Sequence, residues 1–234
     1  ITDQEEHTRA TLKIQEGCSN WCTYCIIPSV RGPIRSRPLE DIGREARRLG
    51  EGGFRELVLT GIHLSSYGLE RQDGTGLLDA IRQVQDAPGV WRIRLGSLEP
   101  RIATPAFAQA LAAMDKVCPQ FHLALQSGSD TVLQRMNRRY TAGEYLDGVA
   151  NLRAAFPHAA FTTDVLTGFP GETEAEYEET REMIRRVGFA RIHVFPYSQR
   201  EGTKAAVMPG QLSGEEKERR ARALIALGEE TADA

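Results

Sequence analysis

The chain has 234 residues, 41% of them hydrophobic and 26% charged, with a formal net charge of −3 and a pI near 6.0. That is ordinary globular sequence, long enough for one domain with a substantial core, and it excludes a broadly basic surface, so any nucleic-acid contact must be local. There is no run of 18 apolar residues and no charged-then-apolar leader, so neither a membrane span nor a signal peptide is expected.

Short β-branched or apolar runs at residues 11–15, 56–60, 92–96, 121–125, 161–166 and 191–195 alternate with longer segments of helical period. This alternation predicts an α/β fold of six parallel strands joined by crossover helices. Straight after the first run come Cys18, Cys22 and Cys25, spaced C-x₃-C-x₂-C. Three thiolates from one loop suit three corners of a four-iron cluster. The missing fourth ligand distinguishes it from an electron-transfer cluster and leaves an iron open to substrate or cofactor. Zinc is the competing reading, but it takes four protein ligands and no second cysteine pair is present. A disulfide between cysteines so close in a tight loop would strain its geometry. Cys118, before Pro119, reads as a buried small hydrophobe.

Further along, Thr104 with Pro105 predicts a helix start running to Met114. Thr141 with Glu144 and Ser213 with Glu216 fit the capping box, in which hydroxyl and carboxylate satisfy each other's orphan amides. The last helix, from Glu215 to about Glu230, carries mixed charge and a modest apolar stripe, and reads as a covering or linker helix. The division expected is therefore a (β/α)6 core over 1–210 and that helix over 211–234. The opening on Ile1 and the charged end suggest a piece of a longer protein.

Parallel strands of such a fold point their C-terminal ends to one face, where loops build sites. The tips are distinctive: Gly61-Ile62-His63, Ser97-Leu98-Glu99-Pro100, Gln126-Ser127-Gly128-Ser129, Gly168-Phe169-Pro170-Gly171-Glu172, and Pro196-Tyr197-Ser198 after Phe195. A single Gly-Phe-Pro-Gly is an ordinary turn. Together the tips bring small, polar and glycine residues to the rim that carries the cysteines. Two arginine groups, Arg31, Arg35 and Arg37, then Arg135, Arg138 and Arg139, are candidates for RNA phosphate. The second group is read as a solvated or salt-bridged face. No Walker-type loop, G-x-G-x-x-G or nucleophile elbow is present.

The cysteine loop, with Tyr24 beside the last cysteine, resembles the radical S-adenosylmethionine superfamily over nearly the full length. The strings Gln126-Ser127-Gly128-Ser129-Asp130, Arg135-Met136-Asn137-Arg138-Arg139-Tyr140-Thr141 and Gly168-Phe169-Pro170-Gly171-Glu172-Thr173 are similar to those of its methylthiotransferases. Thr60-Gly61-Ile62-His63-Leu64 and Arg94-Leu95-Gly96-Ser97-Leu98-Glu99-Pro100 look most like the MtaB type, which acts on N6-threonylcarbamoyladenosine in tRNA.

The resemblance implies a parallel-stranded partial TIM barrel, a 4Fe-4S cluster on Cys18, Cys22 and Cys25, and S-adenosylmethionine on the open iron. The cofactor would be cleaved reductively to a 5′-deoxyadenosyl radical, leading to methylthiolation at C2 of the adenine. It places cofactor contacts at Tyr24, Gly61, Ile62, His63, Ser97, Glu99, Gln126, Ser127, Gly168, Phe195 and Tyr197. The bland reading of Glu99 is a strand end before Pro100, and His63 reads equally as a satisfied rim histidine.

Complete members carry an N-terminal domain with an auxiliary iron-sulfur cluster and a C-terminal RNA-binding domain, both absent from these residues. The partners implied are tRNA, for the full-length protein, and an electron donor such as flavodoxin or ferredoxin, with neither membrane nor DNA. The setting implied is cytoplasmic. Methylthiotransferases of isopentenylated tRNA adenosine or of a ribosomal-protein aspartate, a zinc-binding module and a docking scaffold remain alternatives.

Overall fold

The computed structural model describes residues 9–232. Its first strand, β1 (Arg9–Glu16), alternates over its first six residues: Ala10, Leu12 and Ile14 are buried, while Arg9, Thr11 and Lys13 face the other way. A slip of one residue would bury Lys13 and expose two aliphatic side chains worth about 1.5–3 kcal/mol each, so the register is set by the sequence itself.

From β1 the chain runs through the cysteine loop, a short helix α1 (Ile27–Arg31) and a two-residue strand β2 (Arg35–Ser36) that pairs antiparallel with the end of β1. This return strand was not expected. It follows from Gly17 and Gly32, both at positive φ, which fold the loop back so that the Cys18 N–H donates to the Gly32 carbonyl at 3.1 Å.

The crossover helix α2 (Leu39–Glu51) then buries Ile42, Ala46 and Leu49 against the sheet. β3 (Glu56–Gly61), α3 (Leu77–Gln85), β4 (Arg92–Leu95) and α4 (Pro105–Ala112) continue the alternation. Thr104 caps α4 as expected, its Oγ1 accepting the Phe107 N–H at 3.2 Å, although the helix stops at Ala112.

β5 (Gln120–His122) is shorter than the run 121–125 predicts. The reason is local. The Leu125 N–H donates to the Thr163 hydroxyl at 2.9 Å in place of a ladder carbonyl, and residues 123–126 pair only through isolated bridges. Helices α5 (Asp130–Arg135) and α6 (Ala142–Ala155) follow, the second with the complete Thr141/Glu144 capping box. β6 (Ala160–Thr167), α7 (Glu174–Val187), β7 (Arg191–Pro196) and α8 (Gly214–Ala232) finish the chain.

The strands run in the order β2-β1-β3-β4 and then β5-β6-β7, all parallel except β2. Bridges Ile93 to Val117 and Leu98 to Leu123 join the two groups into one curled wall. This is the predicted partial barrel, with six parallel strands. One apolar core fills the space between its convex face and the helices; the concave face is polar. Cys118 is buried, and its sulfur accepts from Arg92 Nε at 3.4 Å, so it is more than a small hydrophobe.

α8 lies across β7 and α7, and its Arg220 reaches down to Glu172 at 2.7 Å with both side chains at most 5% exposed. Only half of the Ser213 capping box forms. The Ser213 hydroxyl accepts the Glu216 N–H, but the Glu216 carboxylate turns to Arg219 and Arg220. Among the described residues no helix is long and apolar enough to cross a membrane.

Candidate functional site

The cysteine loop begins at a forced turn. Gly17 sits at φ +70°, and a Cβ there would stand 1.9 Å from the Pro33 carbonyl oxygen. Beyond it the loop is tied to the far side of the barrel mouth. The Thr23 N–H donates to the Met136 carbonyl at 3.0 Å, its hydroxyl to the Arg135 carbonyl at 2.9 Å, and its own carbonyl accepts from the Ala205 N–H at 2.8 Å. Asn137 Nδ2 donates to the carbonyls of Asn20 and Trp21, holding Trp21 at φ +51°. A loop leaving β1 is thus closed against segments that follow β5 and β7.

All four cysteines are free, with Cys22 buried and Cys18 and Cys25 half-buried. No disulfide links them. The three loop sulfurs do not all lie within 4.8 Å of one another. A single zinc with bonds of about 2.3 Å would draw its thiolates to roughly 3.8 Å apart. The wider spacing, with thiol donors only, fits a cluster better than one ion. Burial pushes the Cys18 and Cys25 thiols up, and the neighbouring cysteines push the same way; Arg138 pulls both down.

Arg138 is the residue of the site that the sequence placed on the wrong surface. Of its group, Arg135 is salt-bridged, with Glu176 at 2.8 Å, and Arg139 is exposed, as expected. Arg138 does neither. It is half-buried, its Nη1 lies 3.5 Å from Cys22 Sγ, and its guanidinium stacks 4.9 Å from the Tyr140 ring centroid. Tyr140 is fixed in turn, its hydroxyl within 2.8 Å of the carbonyls of Ala124 and Leu125. Burial and then Arg138 act on the Tyr140 phenol in opposite directions, and it ends at about 12. The remaining arginines, Arg31, Arg35 and Arg37, form no ion pair among the described residues.

Beside the loop stand His63 and Glu99, from the tips of β3 and β4. His63 Nε2 is 3.0 Å from Glu99 Oε2 and 3.1 Å from Asn20 Nδ2, which links both tips to the cysteine loop. The His63 backbone N–H donates to Gln15 Oε1 at 2.8 Å, and Gly61 must lack a side chain because its Cβ would lie 2.8 Å from that same oxygen. Ser65 Oγ accepts the Glu99 N–H at 2.8 Å. Burial opposes ionisation of Glu99, but the His63 contact and the charges of Arg138 and Arg101 outweigh it, so its carboxyl is held below the ordinary range. Glu99 thus ends its strand with a side chain engaged by His63 at the rim.

The other expected contacts are placed unequally. Ile62, Ser97 and Phe195 are exposed at the rim, and Gln126 is half-buried there at φ +62°. Ser127 is fully buried on the helix side, its hydroxyl 3.3 Å from that of Thr180. Gly168 sits at φ +67° with Lys217 of α8 across it. Tyr197, 3% exposed, packs with Val132, Met136, Phe169 and Ala205 in a small second core, and Tyr24 meets the edge of Phe169 there at 6.4 Å. These two tyrosines support the loop from beneath. A cavity of about 700 Å³ lies behind the Glu99 tip, lined by Ser65, Tyr67 and Phe107, and contains none of the expected contacts.

The family model for the Radical SAM superfamily matches residues 12–184. The chain belongs to the radical SAM superfamily. Among curated relatives, the threonylcarbamoyladenosine tRNA methylthiotransferase MtaB of Bacillus subtilis (strain 168) is 44% identical over 227 residues, 97% of this chain and 50% of the relative. A tRNA-2-methylthio-N(6)-dimethylallyladenosine synthase of Acetivibrio thermocellus is 40% identical over 223 residues, 95% of this chain and 46% of the relative. This radical SAM chain therefore spans about half the length of the curated relatives it matches. Among solved structures, the radical S-adenosylmethionine methyltransferase TsrM of Kitasatospora setae aligns at TM-score 0.70 and 16% identity, covering 85% of this chain and 38% of TsrM. Methylornithine synthase (PylB) aligns at 0.63 and 15%, covering 94% and 62%. At those identities the likeness is one of fold.

Proposed function

We propose that this is the radical-generating domain of a tRNA methylthiotransferase of the MtaB type, acting on N6-threonylcarbamoyladenosine. One observation carries the reading: three free thiols from one loop converge beside a half-buried arginine at the C-terminal mouth of a half barrel. Cys18, Cys22 and Cys25 hold three irons of a 4Fe-4S cluster, and no fourth protein sulfur stands in that loop. When bound, such a cluster would supply the one-electron reduction by which S-adenosylmethionine is cleaved.

The chain's own side chains position and screen. Arg138 offsets the negative charge gathered on the thiolates. Glu99, held ionised by His63, accepts hydroxyls of the cofactor ribose, and the exposed Phe195 and half-buried Gln126 flank the opening on the other wall. Ser127, Tyr24 and Tyr197 serve the site by holding backbone, since their side chains are engaged in the core.

The sulfur donor, an auxiliary cluster, and the RNA-binding part belong to the remainder of the full-length protein. A reduced, cytoplasmic setting and a flavodoxin or ferredoxin as electron source complete the proposal. The 40% identical dimethylallyladenosine synthase favours isopentenylated tRNA adenosine as the second reading. Full-length protein, reduced anaerobically, is tested on tRNA carrying either nucleoside and on ribosomal protein, with products read by mass spectrometry. A 2-methylthio product on threonylcarbamoyladenosine alone is expected; product on isopentenyladenosine or aspartate instead overturns the substrate.

A further inference from the structure

The concave face of the half barrel carries side chains that no role above has used. On three adjacent strands, β5, β6 and β7 present His122, Asp164 and His193, at register positions where His122 neighbours Thr162 and Asp164 neighbours His193. Their sequence neighbours Phe121, Leu123, Thr163 and Val165 are buried on the helix side, so His122 and Asp164 project into the hollow; His193, paired with Asp164 in the ladder, stands beside them, and all three are half-buried. One ligand atom from each lies within 4.8 Å of the other two. His122 Nε2 and Asp164 Oδ2 are 3.3 Å apart. That is long for an N–H···O hydrogen bond, and it matches the edge of a tetrahedron whose metal-ligand bonds are about 2.0–2.1 Å, roughly 3.3–3.4 Å.

The surroundings orient these groups as a metal site requires. His122 Nδ1 is held 3.0 Å from Thr162 Oγ1, which also accepts from Gln120 Nε2 at 3.1 Å. Gln120 Oε1 accepts from Arg94 Nη1 at 2.8 Å, and Arg94 Nε donates to Glu56 at 3.0 Å. An outer hydrogen bond on one imidazole nitrogen, leaving the other free to ligate, is the usual support of a metal-binding histidine. Among the described residues, neither nitrogen of His193 has a hydrogen-bond partner and no lysine or arginine pairs with Asp164.

We propose that His122, Asp164 and His193 bind one divalent transition ion, zinc or a metal of similar preference, inside the barrel. Two imidazoles and a carboxylate suit such an ion. Three protein ligands leave a position open toward the hollow, as in sites that take up a substrate oxygen or nitrogen. The site is independent of the cysteine loop and of the proposed substrate.

The test uses the whole chain with its cysteine loop loaded anaerobically with iron and sulfide, equilibrated with zinc and analysed for bound metal and zinc-edge X-ray absorption. About one zinc per chain in a nitrogen and oxygen shell is expected. Zinc is lost in His193→Ala and Asp164→Asn, and bound about 10–100-fold more weakly in Thr162→Val. Unchanged iron content and melting temperature in His193→Ala show that the fold is kept. Absence of zinc, sulfur in its shell, or undiminished binding in both variants overturns the proposal and leaves the triad as a hydrogen-bonding wall for an organic ligand.

Discussion

Arg138 is a half-buried cation placed against the cysteine loop. Its guanidinium sits 3.5 Å from Cys22 Sγ and also acts on Cys18 and Cys25. A cation and donor at a cluster sulfur favours the reduced, more negative state. Arg138→Met is therefore expected to keep its iron but to shift the reduction potential of the cluster negative. Arg138→Lys, which keeps the charge and loses the planar fork, falls between. A potentiometric titration followed by electron paramagnetic resonance reads both, and an unchanged potential in Arg138→Met would refute the role.

Gly17→Ala places a Cβ against the Pro33 carbonyl at a φ that disfavours side chains. It should cost at least about 1–3 kcal/mol and displace Cys18, seen as a lower melting temperature and lost iron. The thiols were legible because their spacing states their chemistry. Arg138 was not, because an arginine string is usually a solvated face and nothing local shows that the chain folds back onto Cys22. Ser127 and Tyr197 illustrate a second limit: residue type marked the strand tips, but which way each side chain turned depends on the left-handed turn at Gln126 and on the packing of Phe169.

At the scale of elements, two ion pairs tie helices together with different consequences. Arg220 on α8 and Glu172 before α7 are both buried. Burial raises the Glu172 carboxyl pKa, with Arg220 pulling the other way. Arg220→Ala leaves that carboxylate without its partner and should cost about 3–5 kcal/mol in denaturant unfolding. The double change Arg220→Met, Glu172→Leu should recover most of it; a double variant no more stable than Arg220→Ala would contradict this account.

Arg135 and Glu176 join α5 to α7. The Arg135 hydrogen bonds, against a smaller effect of burial, hold the Glu176 carboxyl at about 2. Because that value lies below the ordinary carboxylate range, the contribution to stability is full above about pH 4.5 and is lost as the pH falls toward 2. In Arg135→Ala the decline of melting temperature over that interval should be shallower. The six parallel strands were legible from their apolar runs, whereas β2 was not, since two residues carry no periodicity. The truncation of β5 depends on the Thr163 hydroxyl, a contact between strands that no single run encodes. The half-formed cap at Ser213 has a different origin, because Glu216 pairs within its own helix with Arg219 and Arg220, three and four residues on, instead of reaching back to the Ser213 N–H.

At the scale of the whole molecule, the half barrel is a wall that brings one loop and five strand tips to a common mouth, with a hollow beneath. Fold and cysteine chemistry are properties of repeated pattern and spacing, so they survive in one dimension. The loop's closure over the mouth by Thr23, Asn137 and Ala205 arises from contacts more than a hundred residues apart and exists only in three.

The central claim is that Cys18, Cys22 and Cys25 hold a cluster that cleaves S-adenosylmethionine. The most direct measurement is dithionite-driven release of 5′-deoxyadenosine from the anaerobically reconstituted chain, with iron and sulfide counted in the same sample and Cys22→Ala as control. About four irons per chain and release that vanishes in Cys22→Ala are predicted. Zinc at the cysteines, or a full cluster with no release, would contradict the account.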